Sequence, residues 1–244
     1  EISLCALRNN LNVMKKAAGQ AKVWSVVKAN AYGHDICNVY PGLQETDGFA
    51  LLDLAEAIQL RELGWEGPLL LLEGFFETAD LTIIDRYRIT TAVHSFWQLS
   101  AIAVARLQRP VDIYLKVNTG MNRLGFAPDR LNAAWHEASA NPNIGEITLM
   151  THFVEADEPA GIDDLMTMLS TLVPTNYLPR CFTNSAAKLW HPRSHVDWVR
   201  PDIVLYGASP SGRYQDISQS GLQAIMTFKS EVIAVQSLNA VVAW

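Results

Sequence analysis

The chain has 244 residues, 49% of them hydrophobic and 18% charged, so it is long enough to bury a sizeable core in one large domain or two small ones. A net charge of -6 leaves no basic footprint for nucleic acid, and no run of about 18 apolar residues marks a membrane span. Cys5, Cys37 and Cys181 show no metal-ligand spacing and read as reduced thiols of a cytoplasmic protein, so no metal is expected. No signal-peptide pattern opens the sequence, and a first residue of Glu1 in place of Met leads us to expect a few residues ahead of it.

Short apolar runs alternate with helical patterns along the chain. The predicted strands are residues 23–28, 49–52, 69–72, 90–93, 112–117, 146–152, 180–183 and 196–200, with amphipathic stretches such as 54–63 and 81–87 between them. Alternating strand and helix signals imply parallel strands with helical crossovers, and eight such units predict an α/β fold of the closed (β/α)8 TIM-type barrel. The alternative, an open doubly wound sheet, calls for a glycine-rich turn after the first strand. The residues there, Lys28 to His34, contain no G-x-G-x-x-G, so the barrel is preferred. Residues 227–238 read as a longer, partly alternating strand that opens a second, β-rich domain. The barrel is accordingly expected over residues 5–222 and the start of an incomplete β domain over 223–244, whose apolar end at 240–244 suggests truncation.

Chemistry in such barrels gathers at the C-terminal ends of the strands. Lys28 follows Ser25, Val26 and Val27 at the end of strand one. A lysine with its stem among apolar neighbours is the type that forms Schiff bases, though the same position suits a lysine that merely snorkels at the rim. Lys116 lies in strand five, and Arg123 follows in a loop framed by Gly120 and Gly125. An arginine there either grips a carboxylate through two parallel hydrogen bonds or simply faces water. His152 ends strand six, where an imidazole can stack, relay protons or be a satisfied core residue. Asn184 and Ser185 follow strand seven, and Arg200, Pro201, Asp202 and Ile203 follow strand eight. The loops after strands seven and eight are the usual phosphate site of barrels, and backbone N–H groups at a helix start at Asp202 and Ile203 would favour an anion. Together these residues point to a phosphate-bearing cofactor.

The same residues carry a resemblance. Residues 26–34, VVKANAYGH, resemble the cofactor-lysine signature of the alanine racemases at nine consecutive positions. Residues 47–52, 72–76, 115–126, 184–187, 197–201 and 205–212 resemble that family in the same order, so the resemblance spans the whole chain and is nearest to the Gram-negative bacterial members. It implies a (β/α)8 barrel followed by a mostly β domain, a head-to-tail homodimer, pyridoxal 5'-phosphate as cofactor, and interconversion of L- and D-alanine, a peptidoglycan precursor. By the same resemblance Lys28 would hold the cofactor covalently and act as base on one face of the alanine Cα. Tyr32 and Ser185, with Asn184 and the backbone of Asp202 and Ile203, would bind the phosphate end. Arg200 would face the pyridine nitrogen, where a guanidinium keeps its proton and favours racemisation over transamination. Arg123 would sit by the substrate carboxylate, oriented by Lys116 if that lysine is carbamylated, and His152 would lie beside the ring in a relay to the second base.

Three departures from the family pattern stand out. Asp35 replaces a glycine and is expected on the first helix with little effect. Asp202 replaces the glycine whose N–H meets the phosphate; it keeps the N–H but adds a negative charge. At ~4 Å and an effective dielectric near 20, a like-charge contact costs about 4 kcal/mol. The family's second base is a tyrosine of the β domain of the partner subunit, and none of the seven tyrosines here lies in a matching motif. Two further readings therefore stand beside a racemase: a one-domain carrier of the cofactor without racemase activity, and a fragment that binds nothing. The loops 115–126 and 205–212 and the strand expected from residue 227 favour the racemase.

Overall fold

The computed structural model describes every residue except 155, 157–161, 173–177 and 238–244. The predicted apolar runs form β1 (Lys22–Val26), β2 (Gly48–Leu51), β3 (Leu69–Leu71), β4 (Thr90–Val93), β5 (Val111–Lys116), β6 (Ile144–Met150), β7 (Arg180–Thr183) and β8 (Trp198–Val199). They pair in chain order, all parallel, and β8 returns to β1 through Lys22 with Trp198 and Val23 with Val199. The sheet therefore closes into a (β/α)8 barrel, and the open doubly wound alternative is excluded.

Nine helices occur among the described residues: α1 (Leu4–Ala18), α2 (Lys28–Tyr32), α3 (Ile36–Leu43), α4 (Leu54–Glu62), α5 (Asp80–Tyr87), α6 (Phe96–Val104), α7 (Pro128–Ser139), α8 (Asp163–Leu172) and α9 (Ser185–Trp190). Short polar residues start several of them. Ser3 caps α1 by accepting the Ala6 N–H, Asp53 caps α4 through Ala55, and Asn184 caps α9 through Ala187. None of the described helices is long and apolar enough to cross a membrane.

Strand alternation divides the core in two. One set, with Val23, Phe49, Leu51, Leu71, Ile113 and Leu149, faces the helices and meets Leu7, Leu11, Leu60 and Leu131. The other fills the barrel: Trp24, Ala50, Leu70, Ala92, Tyr114, Met150, Cys181 and Trp198. Here large rings oppose small neighbours. Trp24 stacks on Trp198 at 4.3 Å between ring centroids and donates from Nε1 to the Tyr114 hydroxyl at 3.0 Å. A Cβ at position 48 would lie 2.3 Å from the Trp24 ring, so only glycine fits beside it.

Three expectations change. Strand one ends at Val26, because Val27 already has ψ near 21°, and Lys28 begins a turn instead of ending a strand. Asp35 stands before α3, not on it, at φ +72°, where its carboxylate accepts the Cys37 N–H at 2.8 Å. That backbone region favours glycine, so the side chain is strained there and its capping bond offsets part of the cost. Residues 227–237 form no strand. Met226 makes one antiparallel bridge to Ile2, and the Thr227 N–H donates to the Glu1 carbonyl at 3.0 Å. Beyond it Phe228 is 92% and Ile233 99% exposed. An alternating sequence needs a neighbouring strand to satisfy its backbone, and none lies beside this one among the described residues. Leu238 and the apolar end at 240–244 lie outside the described residues.

Candidate functional site

The C-terminal mouth of the barrel gathers most of the residues singled out in the sequence, with Tyr32, Ser185 and Ile203 outside the lining of its pocket. Lys28, Lys116, Arg123, His152, Asn184, Arg200 and Asp202 line a single pocket, floored by Val26 and Met150 and walled by Leu52, Leu72 and Glu73. A second depression lies at the opposite face, at the starts of β4 and β5 among Asp85, Arg88, Arg109 and Asp112. Its Arg109 is held by the Asp85 carbonyl at 2.6 Å, and the N-terminal face of such barrels serves stability.

Lys28 is delivered by an unusual piece of backbone. Ala29, Asn30, Ala31 and Tyr32 all have φ between 50° and 54°, one turn of left-handed helix built without glycine. Each such residue costs about 1–2 kcal/mol. The turn is clamped on several sides. The Asn30 N–H donates to Glu56 at 2.6 Å, the Asn30 side chain accepts the Ile36 N–H at 2.9 Å, and Ala31 is fully buried. The winding returns Tyr32 toward the pocket, with its ring 5.0 Å from that of Tyr206 and 5.8 Å from the Lys28 ammonium. Strain held by such clamps is typical of functional sites.

Arg200 is 4% exposed and rigidly aimed. Its Nη1 donates to the carbonyl and Sγ of Cys181, and its Nη2 to the carbonyls of Thr151 and Phe182. Both terminal nitrogens are thus spent on the ends of β6 and β7. Nε makes no hydrogen bond among the described residues.

Cations crowd this mouth, and burial together with that crowding sets its protonation. Lys116 is 5% exposed, with Nζ 3.4 Å from the Leu72 carbonyl. Burial first, then Arg200 and Arg123, lower it to about 8. His152 is pushed down to about 3 by burial and then by Arg200, Lys116, Arg123 and Lys28, so it is a neutral imidazole at physiological pH. Arg123 is exposed on the loop after β5 and makes no side-chain hydrogen bond among the described residues. That loop is folded by Asn118, whose Oδ1 accepts the N–H groups of Gly120 and Asn122, each at 3.1 Å. It is closed by Gly125 at φ +129°, where a Cβ would lie 2.5 Å from the Asn118 nitrogen.

The expected phosphate end has a different occupant. The Asp202 carboxylate accepts from the Ser185 hydroxyl, and the Asp202 N–H donates back to the Ser185 Oγ at 2.8 Å. The same carboxylate lies against the Tyr32 hydroxyl; burial, then the Asp202 charge and its hydrogen bond, push that phenol above its ordinary range. Asn184 also serves the local fold: its Oδ1 caps α9, and its Nδ2 donates to the Phe153 carbonyl at 3.0 Å. Asp202 and Ile203 open the short helix expected there, a 3-10 helix over Ile203–Tyr206.

Two site residues escaped the sequence reading. Glu73 follows the short strand β3 and is the pocket's other carboxylate; reading that strand end as the others were read would have found it. Tyr206 donates to the Val26 carbonyl at 3.0 Å and stacks on His34 at 4.8 Å, bracing the Lys28 turn from behind. Nothing local in the sequence signals that contact across the barrel.

The family profile described as "Alanine racemase, N-terminal domain" matches residues 2–210. The chain belongs to the alanine racemase family. It is 57% identical over 239 residues to the alanine racemase of Erwinia tasmaniensis, covering 98% of this chain and 67% of that protein. It is 54% identical to the catabolic alanine racemase of Klebsiella aerogenes, with the same coverage. Among solved structures, the biosynthetic alanine racemase of Pseudomonas aeruginosa superposes with a TM-score of 0.81 at 35% identity, covering 92% of this chain and 63% of that one. The Acinetobacter baumannii alanine racemase gives 0.85 at 31% identity, covering 97% and 71%. The chain thus spans about two-thirds of the length of the alanine racemases it matches.

Proposed function

We propose that this chain supplies the cofactor-bearing barrel of a cytoplasmic alanine racemase and that Lys28 is its covalent anchor. The observation that carries the reading is the pocket itself: one rim lysine, two arginines and a neutral histidine at the mouth of a family barrel. The residues fit the ring and aldehyde of pyridoxal 5'-phosphate. Lys28 would hold the aldehyde carbon, Arg200 would offer its Nε–H to the ring nitrogen, and His152 would lie beside the ring. The phosphate end, near Tyr32, Ser185, Asn184, Asp202 and Ile203, fits only if Asp202 gives way. When bound, the cofactor withdraws electrons from the amino-acid Cα and so acidifies its hydrogen.

The chain's own groups do the rest. Lys28 would move a proton at one face of Cα. Arg123 would pair with the substrate carboxylate, since it carries a free fork of donors at the pocket edge. Lys116, with an amine that loses its proton near pH 8, suits carbamylation: the neutral nitrogen attacks carbon dioxide, a proton leaves, and the resulting carboxylate can orient Arg123. Returning the proton from the opposite face needs a second base, and no tyrosine of the family motif stands among these residues. We place it, as in the resemblance, on a partner subunit of a homodimer. The start of a β domain at residues 223–244 belongs to this same proposal.

The test is loss of the alanine Cα hydrogen to solvent deuterium, followed by NMR with added pyridoxal 5'-phosphate and, separately, pyridoxal. Exchange by the wild-type chain, retained configuration, and a drop to the protein-free rate in Lys28→Ala are the expected results. Equal exchange in the two chains would refute the assignment of Lys28.

A further inference from the structure

The anion cup at the end of this pocket already holds an anion, and that anion belongs to the chain. A phosphate group seated after β7 and β8 needs the Ser185 hydroxyl, the Tyr32 hydroxyl and the N–H of Asp202. Two of them are bonded to each other's residue, and the third lies under the influence of the Asp202 charge. The Ser185 hydroxyl is buried, 2% exposed, and donates to the Asp202 carboxylate. The Asp202 N–H donates to Ser185 at 2.8 Å, and the Tyr32 hydroxyl faces the same carboxylate. The carboxylate thus takes the Ser185 hydroxyl, and the Ser185 oxygen takes the Asp202 N–H, so a phosphate would find both donors already paired. Carboxylate and phosphate cannot share the cup, because two anions held within contact distance of each other in a half-buried site repel strongly. The far end of the pocket is unaffected. Lys28 and Arg200 follow β1 and β8, and neither hydrogen-bonds to Ser185 among the described residues.

We infer that Asp202 is a built-in occupant of the phosphate cup, which biases the pocket toward the unphosphorylated aldehyde pyridoxal and against its phosphate ester. This inference rests on the reading of Lys28 as the aldehyde-binding lysine. Pyridoxal carries the same aldehyde, phenol and ring nitrogen, and in place of the phosphate ester it has a neutral hydroxymethyl group. That group can donate a hydrogen bond to the Asp202 carboxylate where the ester would oppose it. Asp202 therefore acts as a selector of the ligand's charge and leaves the condensing amine alone.

The full chain is titrated with pyridoxal 5'-phosphate and with pyridoxal. The Lys28 amine condenses with either aldehyde, releasing water. Hydride from borohydride then fixes the bond, and occupancy is read by peptide mass. Pyridoxal closes on itself as a hemiacetal, which weakens it equally against every variant. The diagnostic is therefore the ratio of the two half-saturating concentrations. Asp202→Gly and the near-isosteric Asp202→Asn are expected to shift that ratio toward the phosphate ester by at least about tenfold, through tighter binding of the ester and no gain for pyridoxal. The asparagine variant keeps the backbone and shape, so it decides the matter if the glycine variant is poorly folded. An unchanged ratio in a folded variant would overturn the inference while leaving Lys28 in its role. Absence of Lys28 labelling by both aldehydes in all three chains would overturn the pocket reading, and this inference with it.

Discussion

Burial acts on two neighbouring bases in the same direction with different consequences. Lys116 is lowered to about 8, so its amine becomes uncharged within reach of mild alkali. We expect carbon-13 NMR in labelled bicarbonate to show a carbamate resonance that grows between pH 7 and 9 and is missing from Lys116→Met; a signal of equal size in that variant would remove Lys116 from the role. His152 is held neutral down to about 3, well below the ordinary histidine value. As pH falls below 6.5 the unfolded chain takes up a proton that the folded chain refuses, so stability is lost on the acid side. Between pH 7 and pH 5 the wild type is expected to lose about 2 kcal/mol more than His152→Gln in urea unfolding. Parallel losses would contradict the assignment. These residues were legible in the sequence as strand-end candidates, because the barrel rule names the places to look. Their protonation was not, since it depends first on how deeply the closed barrel buries them and then on the cations it brings to the same mouth. Asp202 was legible as a misfit, but not as the partner of Ser185 and Tyr32, 17 and 170 positions away in the chain.

The loops and turns between strands set the aim of these side chains. The turn after β5 places Arg123 and is pinned by the Asn118 N–H to the Phe126 carbonyl at 2.9 Å and the Phe126 N–H to Lys116 at 2.8 Å. Gly125→Ala would put a methyl group against Asn118 at a backbone angle that disfavours side chains. The amides of Asn118 and Phe126 should then lose hydrogen-exchange protection while those of β1 to β3 keep theirs; unchanged protection would mean that the loop does not depend on that glycine. Framing glycines made this loop readable in advance. The left-handed turn at Ala29–Tyr32 was not readable, because ordinary residues do not choose it. It exists through distant clamps, Glu56 on α4 and Tyr206 after β8. Residues 227–237 show the converse: their alternation favours a strand, and a strand without a neighbour does not form.

At the scale of the whole molecule, closure depends on the shortest strand. β8 has two residues, and one of them, Trp198, stacks on Trp24 across the seam between last and first strands. Trp198→Ala is expected to cost about 3–5 kcal/mol, read from the urea midpoint, and a cost below about 1 kcal/mol would show that the seam is held elsewhere. The eightfold alternation of apolar runs and helices made the barrel legible, because parallel strands joined by helices have few ways to bury both faces. It carried no word of where Lys28 would point. That point is the centre of the account, and the chain provides a demanding control for it. Two other lysines, Lys116 and Lys188, are buried and lowered to about 8, so by amine availability alone they would take an aldehyde. The deciding measurement is a peptide map of the folded chain after reaction with pyridoxal and borohydride. The account predicts modification at Lys28 and none at Lys116 or Lys188, with the label abolished in Lys28→Ala; modification centred on either buried lysine, or a label undiminished in Lys28→Ala, would contradict it.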